Sequence, residues 1–323
     1  MIDVVAIGES MVLFQPTDGE KMVYANQFSQ SVAGAETNVL IALSKLNRPV
    51  RFISQVGNDP FGERVLQTLR QEQVDTTFVA VTDQASTGIF FKERRPLNDP
   101  LVHYYRKGSA ASRLTRKDYR SLWLKDAKHL HVTGITAALS EESFLLLKET
   151  MIAAKQFGLS ISFDPNIRFK LWDKDTAKTR LLELLPLCDV FLPGEQELAF
   201  LFPKLTEQAQ IEAVKKQGVA VIVLKRGSRG SGCYFLDEHI ERSPFPVDQV
   251  IDSVGAGDAF TAGFLHVFLD LNKQTLTKPE MDRALEVANA MGAYMTQFKG
   301  DWEGAPDRAT LSELLGEHAL TDR

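Results

Sequence analysis

The sequence predicts an α/β protein: a mainly parallel sheet covered by helices on both faces, with a smaller β-sheet beside it. Three observations carry that reading. Short apolar runs alternate with longer amphipathic ones, the rhythm of strand–helix–strand units. Val4-Val5-Ala6-Ile7 is apolar without interruption and stops at Gly8, as a buried strand does. Two segments, 11–32 and 86–112, break the rhythm with strand-like runs separated by turns and no helix between them.

The elements follow in order. After the first strand, Thr37 to Leu46 carries apolar residues at helical spacing (Val39, Leu40, Ala42, Leu43, Leu46). Val50 to Val56 is strand-like and ends at Gly57-Asn58-Asp59-Pro60, and Phe61 to Gln71 is helical, with Val65, Leu66 and Leu69 on one face. Later strands are expected at His129–Val132, Ser160–Phe163, Val190–Leu192 and Val219–Leu224. The helices among them are Glu141–Phe157, Thr176–Leu185, Glu195–Phe202 and Glu207–Gln217. A further helix spans 283–298, and the tail returns to a helix at Thr310–Glu317 before fraying. Within the two irregular segments, Met11–Phe14, Thr87–Lys92 and Leu101–Tyr105 read as strands of a small sheet that could act as a lid. The alternative is an extra antiparallel edge on the main sheet. The chain, 1–323, is read as a single domain with this lid inserted at about 11–32 and 86–112.

Bulk composition excludes several classes. With 323 residues, 44% hydrophobic and 24% charged, the chain can bury a sizeable core without staples. A formal charge of −5 argues against a nucleic-acid binder. The two cysteines, Cys188 and Cys233, have no metal-like spacing and suit a reducing compartment. The N-terminal apolar run is too short and too acidic for a signal peptide, and no run is long enough for a membrane span. A cytoplasmic location is expected.

The most informative stretch is Asp252-Ser-Val-Gly-Ala-Gly-Asp-Ala-Phe260. It sets two glycines before an acid, Asp258, where an apolar helix begins. Helix starts expose backbone N–H groups without intrahelical partners and favour negative charge. Glycine lets that backbone approach a phosphate closely. An acid there can accept a proton from an attacking hydroxyl. An anion cradle with a base beside it is what phosphoryl transfer to an alcohol needs; the plainer alternative is a turn capped by Asp258. A second glycine-rich stretch, Lys225-Arg-Gly-Ser-Arg-Gly-Ser-Gly232, has neither the spacing of a P-loop nor that of a dinucleotide fingerprint, and a strand (Cys233 to Leu236) follows it. As backbone it is a hairpin turn.

Four motifs lie in order along nearly the whole chain: Gly34-Ala35-Glu36-Thr37-Asn38, Gln55-Val-Gly-Asn-Asp-Pro-Phe-Gly62, Phe163-Asp-Pro-Asn-Ile-Arg168 and the 252–260 stretch. Together they resemble the ribokinase-like (PfkB) carbohydrate kinases. The resemblance implies a ribokinase-like three-layer sandwich with a β-sheet lid, ATP and Mg2+ as cofactors, and a homo-oligomer (a dimer or larger). It implies Asp258 as base toward a sugar primary hydroxyl, with Gly255, Ala256 and Gly257 as the anion hole. Asp252 would lie near the phosphates; in many relatives the matching acid borders a monovalent-cation site, so such an ion is a further candidate cofactor. Lys225, Gly227 and Gly230 would flank ribose and phosphates, and Asn289 the adenine. The motif Leu192-Pro-Gly-Glu-Gln-Glu-Leu198 departs from the family: relatives often have Asn or Ser where Gly194 stands, while Glu195 and Glu197 remain. Glu197 would serve the metal indirectly, through water.

Three details resemble the branch of that family acting on 2-keto-3-deoxygluconate: residues 33–38, His103 to Ser112, and Gly300 to Pro306. There the matching residues Gly34, Ala35, Asn38, Tyr104, Arg106, Arg168 and Asp301 meet the substrate, and Phe90 stands near a position where relatives often carry tyrosine. The charge logic agrees. A sugar acid brings a carboxylate, and two arginines converging on one cleft can bind it with charge-assisted hydrogen bonds. The alternative is that each arginine pairs with a surface acid. ATP-dependent phosphorylation of the 6-hydroxyl of 2-dehydro-3-deoxy-D-gluconate is therefore expected. The other readings are a neutral-sugar kinase of fructokinase type and a non-catalytic sugar sensor on a kinase scaffold.

Overall fold

The computed structural model describes residues 1–17, 21–95 and 98–317. The chain opens with β1 (Ile2–Ile7), β2 (Met11–Pro16) and β3 (Phe28–Ala33), followed by α1 (Ala35–Lys45) and β4 (Val50–Gly57). α2 (Pro60–Gln71) starts by rule: Pro60 opens the helix and the Asp59 side chain accepts the Gly62 N–H at 2.8 Å. β5 (Asp75–Thr82), β6 (Ile89–Arg95), β7 (Asn98–Tyr105) and β8 (Ala127–Thr133) follow. Next come α3 (Gly134–Ala138), α4 (Glu141–Gln156), β9 (Ser160–Asp164), α5 (Lys174–Leu184), β10 (Val190–Phe191), α6 (Glu195–Leu201), α7 (Glu207–Lys215) and β11 (Val221–Lys225). Ser140, Asp173 and Thr206 cap α4, α5 and α7 with their side chains. The chain closes with β12 (Ser231–Phe235), β13 (Glu238–Arg242), α8 (Ala256–Phe268), α9 (Lys278–Met295) and α10 (Arg308–Leu314). The tail beyond Glu317, expected to fray, lies outside the described residues.

The main sheet has nine strands in the order β13-β12-β11-β10-β9-β8-β1-β4-β5, parallel from β11 to β5. Successive side chains of a strand point to opposite faces, so each buried strand feeds two cores. Val4 and Ala6 join the core formed with α1, α2, α8 and α9, while Val5 and Ile7 join the one formed with α4, α5, α6 and α7. These are the helix layers of a three-layer sandwich. Phe264 of α8 is 0% exposed; its truncation to alanine should cost about 3–5 kcal/mol.

A separate four-stranded sheet, β3-β2-β6-β7, stands beside the main one rather than extending its edge. β2 pairs parallel to β6, while β2–β3 and β6–β7 are antiparallel. An edge-to-face contact between Phe14 and Phe61 (5.8 Å) ties it to α2. The Lys170 ammonium reaches across to the Val102 carbonyl at 2.8 Å. Among the described residues no helix is long and apolar enough to cross a membrane.

Candidate active site

The carboxyl ends of β1, β9 and β11 bring Glu9, Asp164 and Lys225 to one edge of the parallel sheet, the edge where open α/β sheets bind ligands. The small sheet faces the same edge. Between them lies a cavity of ≈ 930 Å³, lined by residues from both sheets and from the start of α8. Gly34, Ala35, Asn38, Phe90, Tyr104, Arg106, Arg168, Lys225, Gly255, Gly257, Asp258 and Asp301 all line it. Residues far apart in sequence thus meet in one place.

The floor is the start of α8. Gly255, not Asp258, is the residue that caps the helix, with φ +79°, in the left-handed region. A side chain there would also collide with the backbone, since a Cβ would lie 2.0 Å from the Asp301 carbonyl oxygen. Ala256, Gly257 and Asp258 form the first turn, whose N–H groups lack intrahelical acceptors. A Cβ at Gly257 would meet nothing within 4 Å, so the glycine keeps space open above that turn.

Asp258 points its carboxylate at Asn38, whose amide donates to it at 2.8 Å. The same amide's oxygen accepts the Gly34 N–H at 3.3 Å. Asn38 is therefore occupied in orienting Asp258, a role distinct from the substrate contact expected of it. Gly34 is required by close approach: a Cβ would lie 2.3 Å from the Glu9 carbonyl. Burial pushes the Asp258 carboxyl up to about 7, with the charge of Asp164 adding to the rise; Asn38, Lys225 and Arg168 oppose it. Such a group can hold and release a proton near neutrality.

Lys225 donates to Asp164 at 2.6 Å. Burial disfavours its charge, but Asp164 and Glu197 outweigh that and raise its pKa. Glu197 is fully engaged by backbone: its oxygens accept Ile167 N–H and Gly194 N–H, each at 2.8 Å. Gly194 lacks a capping side chain, and Glu197 reaches back to its N–H instead. Glu195 pairs with Arg226 (3.4 Å) and Arg229 of the following turn. Gly230 of that turn abuts the Arg242 carbonyl. Gly227, Gly230 and Asn289 do not line the main cavity. Asn289 donates to the Ser243 carbonyl at 3.2 Å and borders a neighbouring hollow walled by Pro244, Phe245 and Pro246. Among the described residues no group of three or more His, Cys, Asp or Glu side chains is arranged to hold a metal ion.

The two arginines share the cavity but not a state. Arg106 is 7% exposed and its Nε donates to Glu9 at 2.6 Å. Its acid is thus a buried one at the end of β1, and Ser109 also donates to it. Arg168 is exposed; among the described residues its guanidinium makes one hydrogen bond, to the Ile167 carbonyl at 3.3 Å, and no ion pair. Tyr104 packs against Phe90 (5.6 Å) beneath the Arg106 guanidinium (5.4 Å). Asp301 and Asp252 do not stand free. Both carboxylates meet the Lys92 ammonium, and Asp252 lies behind the cavity rather than on its wall. The sequence motifs do not mark Lys92 or Glu9, although period-two alternation puts Lys92 on the face of Phe90, and Glu9 stands two residues past the end of β1.

Comparison with known proteins shows the family. The chain is 37% identical to a 2-dehydro-3-deoxygluconokinase of Bacillus subtilis (strain 168), over 97% of this chain and 95% of that one. It is 32% identical to one from Thermoproteus tenax, over 98% and 94%. Fructokinase-1 of Zea mays is 29% identical over 97% of each. A putative Ribokinase II of E. coli, solved in complex with ATP and Mg2+, superposes with a TM-score of 0.88 at 27% identity, over 98% of this chain and all of that one. A Vibrio cholerae O395 fructokinase double mutant, solved with fructose, ADP and potassium ion, does so with 0.86 at 27%, over 97% and 99%. The model of the pfkB family carbohydrate kinases matches residues 1–308, and the chain belongs to that family.

Proposed function

We propose that this carbohydrate kinase is a 2-dehydro-3-deoxygluconokinase, transferring the γ-phosphoryl group of ATP to the 6-hydroxyl of 2-dehydro-3-deoxy-D-gluconate. The observation that carries the reading is the pairing, in one cavity, of a carboxylate poised near neutrality (Asp258) with an exposed guanidinium that no carboxylate among the described residues takes (Arg168). The first supplies a base for an alcohol; the second supplies a partner for an acid. The similarity to two kinases of that name supports the same substrate.

In this mechanism the sugar lies between the two sheets with its carboxylate on Arg168 and its ring side against Tyr104 and Phe90. Asn38 holds the Asp258 carboxylate toward the 6-hydroxyl. As the hydroxyl oxygen bonds to the γ-phosphorus, its proton passes to Asp258 and the bond from that phosphorus to the β,γ-bridging oxygen breaks, releasing ADP. The N–H groups of Gly257 and Asp258, in the first turn of α8, receive the charge on the equatorial oxygens. Lys225 extends positive charge from the β11 end toward the phosphates. The turn at Gly227 and Gly230 and the hollow beside Asn289 take the nucleoside. Magnesium neutralises phosphate charge when bound. Glu197, with both oxygens held by backbone N–H groups, and Asp164, held by Lys225, would reach such an ion through water. The small sheet acts as a lid that excludes water, and its outer strands are the surface for pairing with a second copy.

A panel of sugars in an ADP-release assay tests the substrate. The keto-deoxy acid should turn over with kcat/KM at least tenfold above fructose; the reverse order would overturn the assignment. The second reading, a fructokinase, is favoured by the fructokinase likeness over the full chain and by Phe90, which offers no hydroxyl. The galactonate epimer belongs in the panel because Arg168 reads the carboxylate shared by both epimers.

A further inference from the structure

Lys92 is a lysine turned fully inward. It lies on β6 of the small sheet, 1% exposed, and its ammonium sits 2.8 Å from Asp252 Oδ2 and 2.9 Å from Asp301 Oδ1. Burial works against its charge, but Asp301 and Asp252 outweigh that and hold it protonated. Both carboxylates belong to the frame of the α8 start. The other oxygen of Asp252 accepts the Val254 N–H at 3.1 Å, which shapes the turn leading into Gly255. The Asp301 backbone is the surface against which Gly255 packs. Two uncompensated carboxylates beside a loop meant for a phosphoryl group would repel both each other and the ligand.

A monovalent cation at this place, as the family resemblance suggests for the acid matching Asp252, does not fit these residues. The carboxylate oxygen it would need is already on the Lys92 ammonium. We propose that Lys92 is a positioning residue that serves as a tethered cation: it fixes the 252–257 loop from the small sheet and removes the need for a bound monovalent ion. The inference rests on the kinase reading. It adds that the charge setting the anion-binding loop is carried by the same sheet that covers the sugar, so small-sheet placement and loop geometry are one event.

The test compares wild type, Lys92→Ala and Lys92→Met in potassium, ammonium, methylammonium and tetramethylammonium chlorides at equal ionic strength. Wild type should turn over at the same rate, within about twofold, in all four salts. Lys92→Ala in tetramethylammonium should lose at least tenfold in kcat with a smaller change in KM for ATP. Potassium, ammonium or methylammonium should restore it along a saturating curve. Lys92→Met, whose side chain fills the space, should be slow in every salt. A parallel melting series without nucleotide or sugar separates this inference from the substrate assignment: potassium should raise the melting temperature of Lys92→Ala over tetramethylammonium and leave wild type unchanged. Strong activation of wild type by potassium overturns the proposal without any variant being needed. So does a folded Lys92→Ala that is unimpaired, or one that is impaired alike in every salt.

Discussion

The two walls of the cleft use their charges differently. On the small-sheet wall, Arg106 and Lys92 are buried and already matched, to Glu9 and to Asp252 with Asp301. On the main-sheet wall, among the described residues, Arg168 is exposed with no ion pair, and the hydrogen bond to the Asp258 carboxylate comes from a neutral amide. Charges consumed internally set shape, because breaking a buried pair strands its partner. Charges left open meet ligand. Substitution of Arg106 should therefore register in stability and that of Arg168 or Asp258 in kinetics, while Lys92, whose two acids frame the start of α8, should register in both.

The hardest test of that division is Asp258→Asn. It should lower kcat by about 10²–10⁴-fold while ATP binding persists, as loss of a general base does. Its effect on folding should be the opposite of damage. The folded pKa of about 7 lies above the ordinary aspartate value, so the stability it contributes is present at low pH and is lost as pH rises through 7. The asparagine variant should melt higher than wild type at pH 8 and gain nothing at pH 4. Near-normal turnover would remove Asp258 from the reaction.

Next is Arg106→Ala. It leaves Glu9 buried without its ion and should cost about 3–5 kcal/mol in denaturant unfolding. An unchanged midpoint would mean that the pair is not structural and that the division between walls fails. Arg168→Ala should do the reverse, raising KM for the sugar acid by about 10–100-fold, the scale of one or two charge-assisted hydrogen bonds, with unfolding unchanged. An equal rise in KM for ATP would count against a carboxylate contact. In wild type, kcat/KM for the sugar should fall about tenfold per pH unit below 7 and level off above it, since only ionised Asp258 accepts the proton. A profile flat down to pH 5 would place the working base elsewhere. The smallest effect belongs to Phe90→Tyr: it restores a hydroxyl to a buried ring facing the cavity and should shift sugar KM by less than about tenfold.

Much of this was legible in the sequence. Buried parallel strands and amphipathic helices have strong periods, and the 252–258 stretch announces its chemistry locally because a helix start is a local structure. The misses are of two kinds. β5 is an edge strand of half-exposed threonines and valines, β13 is largely charged, and α3 has only five residues, so none carries a clear period. The second kind is pairing. Arg106 stands 97 residues from Glu9 and Lys92 stands 209 from Asp301. No local pattern says which acid a cation will find. The sequence therefore suggested two equal arginines, where the fold commits one and leaves the other open.

The bond from Lys170 to the Val102 carbonyl has a consequence for how such an enzyme can change. Its acceptor is main chain, so the contact persists whatever side chain occupies position 102. In the proposed arrangement the strand that would lie over the sugar can drift in sequence, and with it the choice of acceptor, without surrendering its anchorage to the main body. Selectivity and closure are thereby separable under mutation, which leaves this wall open to selection for a new sugar.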